Sequence, residues 1–85
     1  MKITVVDKKS GKSYDLEVYP ENTPNDILGV LIEEGYIPQY PGDNPQFFWV
    51  LSYRNSQLDP DIPIVNQGVY DGAQIELLPV PVPGR

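Results

Sequence analysis

Thr23-Pro24-Asn25-Asp26-Ile27-Leu28-Gly29-Val30-Leu31-Ile32-Glu33-Glu34-Gly35 reads as a short amphipathic helix with both ends marked in the residues themselves. Thr23 can cap the N-terminus with its hydroxyl, and Pro24 suits the first helical position because its missing N–H is not needed there. Asp26 sets a negative charge against the positive end of the helix. Ile27, Leu28, Leu31 and Ile32 recur at helical spacing, and Gly35 closes the pattern as the C-cap. A helix of about three turns is not stable alone, so its apolar stripe must lie on a sheet. Gly29, inside the helix, costs about 1 kcal/mol relative to alanine. Close packing against a strand or a partner would account for it, and so would a tolerated defect.

Sheet signals stand on both sides of that helix. Before it, Met1, Ile3 and Val5 share one face of an alternating run, and Tyr14, Leu16 and Val18 share one face of another. Between them lies the polar segment Asp7-Lys8-Lys9-Ser10-Gly11-Lys12, so the two runs read as a β-hairpin. After the helix, residues 36–46 form a long loop with three prolines, and Phe47 to Tyr53 is a strongly β-prone run. Gln57-Leu58 reads as a very short strand and residues 59–64 as irregular. Tyr70-Asp71-Gly72 is a turn, and Ala73 to Leu78 is the last alternating strand, with Ile75 and Leu77 on one face. From Pro79 onward alternate prolines remove N–H donors, so Pro79 to Arg85 is expected to leave the sheet as an extended, polyproline-like tail. The expectation is an α+β domain over residues 1–78, with one helix packed on one face of a mixed sheet of about four to five strands, and a tail over 79–85.

Composition narrows the functional classes. At 85 residues the chain fits one domain with one modest core and no room for a deep active site. It has neither cysteine nor histidine, which removes the thiolate nucleophile and zinc ligand, the commonest general base and the commonest metal ligand. No catalytic residue, metal site or cofactor is expected. Asp59/Asp61 and Glu33/Glu34 have turn and helix-end explanations and no third ligand beside them. The net charge is −6, with Lys2, Lys8, Lys9 and Lys12 against Asp7 in the first 12 residues and eleven acids against Arg54 and Arg85 in the rest. Such a body repels phosphate backbones, so nucleic acid is not an expected partner. No apolar run approaches the ~20 residues of a membrane span, and no secretory leader opens the chain. A cytoplasmic monomer is the expectation.

The order hairpin, helix, strand, short strand, strand resembles the ubiquitin-like β-grasp fold, and motifs accompany the order. Met1-Lys2-Ile3-Thr4-Val5, Ser10-Gly11-Lys12 and Leu16-Glu17-Val18 before Pro20 read like the first hairpin of ubiquitin. Thr23 opening the helix, Glu34-Gly35-Tyr36-Ile37-Pro38 closing it, and Ile62 to Gly72 before the last strand follow the same plan. The aromatic third strand and the ending Asp71 to Leu78 look like the small YukD-like proteins associated with bacterial type VII secretion, which stop near the end of that strand. Aligned on ubiquitin's last strand, Gly84 falls where the terminal glycine of ubiquitin falls, with Arg85 one residue beyond, as in a precursor. Pro83 stands where the penultimate glycine would be, a departure from the family pattern.

Two roles follow from the resemblance. One is a prokaryotic protein modifier, activated at Gly84 after removal of Arg85. Its partners would be activating and conjugating enzymes and a processing protease, with Lys2, Lys8, Lys9 and Lys12 as acceptors if chains form. Seven extended residues would supply a reach of up to about 22 Å. The alternative is a non-conjugated interaction protein of a secretion system, in which the tail only solubilises a terminus. In either role the protein would be recognised through its open sheet face. In the strand 47–53, Phe48 and Val50 are assigned to the helix side with Ile3, Val5, Leu16, Ile27 and Leu31. Trp49, Leu51 and Leu78 are assigned to the open side, as a binding patch. A shift of one residue reverses that assignment and puts Trp49 in the core or under the 36–46 loop.

Overall fold

The structure, a computed structural model, describes residues 1–84; Arg85, the residue expected to be trimmed, lies outside the described residues. Strand β1 (Lys2–Asp7) pairs antiparallel with β2 (Ser13–Glu17). Asp7 builds the turn between them. Its N–H donates to the Lys12 carbonyl and its carbonyl accepts from the Gly11 N–H, both at 2.8 Å. Its carboxylate also accepts from the N–H groups of Lys9 and Ser10 at 2.9 and 3.3 Å. Gly11 supplies the positive φ of 77° that closes the turn.

Helix α1 (Pro24–Glu33) begins as its sequence indicates and closes as tightly. The Thr23 hydroxyl accepts from the Asp26 N–H at 3.2 Å, and the Asp26 carboxylate accepts from the Thr23 N–H at 3.0 Å, a reciprocal capping box. At the other end the Gly35 N–H donates to the Ile32 carbonyl at 3.0 Å, and the Tyr36 N–H donates to the Leu31 carbonyl at 2.9 Å. Gly35 has φ 77°, so the helix stops in a Schellman motif. A Cβ added at Gly29 would meet nothing within 4 Å, so no close approach explains this glycine.

Strands β3 (Phe47–Tyr53), β4 (Ser56–Gln57) and β5 (Ala73–Pro81) complete one five-stranded sheet in the order β2-β1-β5-β3-β4. The central β1–β5 pair is parallel and the others antiparallel. One helix lies against one face of this mixed sheet, which is the ubiquitin-like β-grasp arrangement. Ile27 and Leu31 of the helix meet Ile3, Val5, Ile75 and Leu77 of the central strands in a core where all six are almost fully buried. Ile37, Leu58, Ile64 and Val69 extend that core beneath the loops.

Two expectations are corrected. Trp49 and Leu51 face the helix side and belong to the core, at 9% and 1% exposure, while Phe48 is 39% exposed on the open face. The β3–β5 register sets this phase: Leu51 lies opposite the buried Leu77, and Trp49 opposite Pro79. Of the two sets of alternate residues, the one containing Trp49, Leu51 and Tyr53 has the larger apolar area, and burying it gains more. The long 36–46 loop supplies the cover, and the Trp49 Nε1–H donates to the Pro38 carbonyl at 2.9 Å. Val50 points to the open face but is itself 7% exposed.

The second correction concerns the prolines. The last strand does not end at Leu78 but runs to Pro81, with Pro79 and Pro81 opposite Trp49 and Phe47. The Val82 N–H donates to the Gln46 carbonyl at 2.8 Å, which shows that the even-numbered residues of β5 turn their donors toward β3. Pro79 and Pro81 therefore turn their missing N–H the other way. On that side β1 ends at the Asp7–Leu77 rung, so no donor is lost from the ladder.

Candidate functional site: the apolar half of the open sheet face

The face of the sheet away from the helix is divided. Around β1 and β2 it is polar, with Lys2 opposite Glu17 and Thr4 opposite Asp15. The Thr4 hydroxyl donates to Asp15 at 2.8 Å, and the Lys2 N–H donates to the Asp71 carboxylate at 2.6 Å. A depression of about 390 Å³ lies over this half. Its polar groups largely satisfy one another, and nothing in it favours a particular ligand.

The other half is apolar because the inward phase of β3 and β5 leaves their remaining apolar residues outside. Val50 lies opposite Leu78, and Phe48 opposite Val80. These are directly paired cross-strand positions, whose side chains interact on one face. Val6, opposite Glu76, continues the patch onto β1. An ion pair between Lys8 and Glu76 at 3.2 Å and the small Ser52 border it. Phe48 is its most exposed member, while Leu78, Val80 and Val6 are half-buried.

Of the residues proposed from sequence for binding, Leu78 lies on this face and Trp49 and Leu51 do not. Phe48 lies on the open face, opposite to the side its sequence phase suggests, and Val80 lies in a paired strand, not in a free tail. The pattern of Leu78 and Val80 between prolines was the signal for the latter. An even-numbered apolar series alternating with odd-numbered prolines is what a strand with one bare side looks like. Lys2, Lys8, Lys9 and Lys12 are all exposed along the hairpin, with Lys8 at the patch border and Lys9 beside Pro79 and Phe47. Pro83 and Gly84 are exposed and follow the Val82–Gln46 bond directly.

The Asp26 carboxyl lies below its ordinary value. It is lowered first by the hydrogen bond from the Thr23 N–H, against a smaller effect of desolvation, with the Thr23 hydroxyl and Asn22 adding to the lowering. That is helix-cap chemistry. Among the described residues no group of three or more acidic side chains is placed to hold a metal ion, and no helix is long and apolar enough to cross a membrane. No protein-family model matches the chain, and no curated protein matches its sequence.

Proposed function

We propose that the chain is a bacterial ubiquitin-like protein that acts by being bound, without catalysing a reaction. In this reading a protein partner docks on Phe48, Val50, Leu78 and Val80, and the domain serves as an accessory or regulatory part of a larger machine. The secretion-associated YukD-like proteins that its sequence resembles suggest the kind of machine. The observation that carries the reading is the 39% exposed Phe48 beside the half-buried Leu78 and Val80 on one apolar surface. An exposed aromatic among aliphatic neighbours with a charged rim is the usual composition of an interaction hot spot. The test is retention of partners by tagged protein from its native cell, comparing wild type with Phe48→Ala and Leu78→Ala. Loss of the same partners from both variants at near-unchanged melting temperature is expected. Undiminished retention overturns the reading.

A modifier activated at Gly84 is the second reading, supported by an exposed glycine just past the last ladder bond. Activation would require the carboxylate end to enter another enzyme's channel. With β5 paired to Pro81 and Val82 still bonded to Gln46, Pro83 and Gly84 are the described residues left free for this. That short reach favours the first reading. Intact-mass measurement of the native protein separates the two. Loss of Arg85, together with Gly84 linked to lysines of other proteins, would establish the modifier; an unprocessed chain without adducts supports the bound accessory.

A further inference from the structure

The parity that turns Phe48, Val50 and Ser52 toward β5 turns Trp49, Leu51 and Tyr53 toward β4. Strand β4 is only two residues long and pairs with Ser52 and Tyr53. The Leu58 N–H adds one bond to the Leu51 carbonyl at 2.8 Å, and there the pairing stops. The N–H and carbonyl of Trp49 and the N–H of Leu51 thus meet no hydrogen-bonding partner among the described residues. A cavity of about 140 Å³ lies along this stretch, lined by the four consecutive residues Phe48 to Leu51. Consecutive strand residues point to opposite faces, so a cavity touching all four must run beside the edge of the strand. Its far wall is apolar, from Pro24 and Leu28 of the helix and from Pro60. The volume is comparable to the ~150 Å³ apolar cavities that admit a benzene ring, enough for one large apolar side chain.

We infer that this edge is a docking groove for an extended, basic segment of a partner protein, which adds a short strand beside Trp49 and Leu51 and places one apolar side chain against Pro24, Leu28 and Pro60. The unpaired donors and acceptor call for an extended backbone, because only a strand presents matching groups at that spacing. Charge identifies the occupant. Asp59 and Asp61 flank Pro60 and are exposed. Among the described residues, the hydrogen bonds their carboxylates accept come from the Asp61 N–H at 2.9 Å and the Asn25 side chain at 3.0 Å, and neither forms an ion pair. Lys2, Lys8 and Lys12 sit on β1 and the turn that follows it, Lys9 lies beside Phe47 and Pro79, and Arg54 stacks over the Tyr53 ring, so none of these cations lines the groove. A second copy of the chain would bring a body of net charge −6 and the same acidic rim against this one, so self-pairing is disfavoured. The groove shares Phe48 and Val50 with the apolar open face but lies on the β4 side of β3, away from Leu78 and Val80, so shifts at those two residues tell the sites apart.

Amide titration of the full chain tests the groove. The probe is a blocked peptide, Lys-Lys-Val-Thr-Leu-Thr-Val-Lys-Lys, compared with a version carrying glutamates for lysines and one N-methylated at alternate residues. Saturable shifts at Trp49 and Leu51, with slowed hydrogen exchange at both N–H groups, are expected for the lysine peptide alone. Asp59→Asn with Asp61→Asn, which keep their turn hydrogen bonds, should weaken that binding several-fold. Shifts centred on the β2 edge or on Leu78 and Val80 overturn the inference. So do equal binding of the glutamate or N-methylated peptide, concentration-dependent protection of Trp49 without peptide, and the lack of any saturable shift at millimolar peptide.

Discussion

Trp49 is held by shape and by one polar bond. Its ring lies in the core and its Nε1–H is satisfied by the Pro38 carbonyl, so truncation both opens a cavity and strands an acceptor. Trp49→Ala should cost about 3–5 kcal/mol of stability, measured by urea unfolding. A cost near zero would return this side chain to the surface. Gly29 is the converse case, a helix-interior glycine facing open space with ordinary helical backbone. Gly29→Ala should stabilise the fold by about 0.5–1 kcal/mol, read as a raised melting temperature. The sequence identified Gly29 as a cost without deciding its cause, because a glycine in a string does not reveal what its missing side chain would have touched. Trp49 was harder still. Its phase depends on which of two apolar sets is larger and on a loop that supplies cover, and both are properties of the assembled sheet.

Among the elements, the helix was the most legible, since its signals are local: Thr23, Pro24, Asp26 and Gly35 act on backbone groups within four residues of themselves. Thr23→Ala should cost about 1 kcal/mol through loss of the hydroxyl cap. The reciprocal bond makes Asp26 a contributor to pH dependence. Its carboxyl titrates below the ordinary value in the folded state, so it stabilises fully above the ordinary carboxylate range. That contribution is lost as pH falls through the lowered folded value. Thermal melts followed into acid should show wild type losing this increment, with a flatter acid limb for Asp26→Asn. Identical limbs would mean the capping carboxylate is not felt. Strand β5 was legible only as far as Leu78, because proline is normally read as the end of pairing. What the string does not display is that β1 stops at the Asp7–Leu77 rung, two residues before Pro79, leaving a side of the strand where a donor is not wanted. Replacing Pro79 and Pro81 together by valine restores two donors to that bare side. The double variant should self-associate at concentrations where wild type is monomeric, as measured by sedimentation. Unchanged sedimentation would show that the prolines do not guard the edge.

At the scale of the whole molecule, the order of elements along the chain and the placing of one helix on one sheet face followed from the sequence because those elements allow few arrangements. The candidate binding surface did not, since it is made of whatever the core leaves over. Phe48, Val50, Leu78 and Val80 are spread over two strands far apart in the chain and become neighbours only through the β3–β5 register. The parallel pairing of β1 and β5 has a mechanical consequence. Tension applied to Met1 and to the segment beyond Pro81 pulls the two central strands along their own lengths in opposite directions. The five rungs from Ile3–Ala73 to Asp7–Leu77 would then be loaded together in shear, with no free end from which they could be peeled one by one. A motor that unravels proteins by hauling on one terminus while the other is held would meet a stiff, brittle clamp, whereas the outer β4 strand, tied by two rungs, would yield to a far gentler pull.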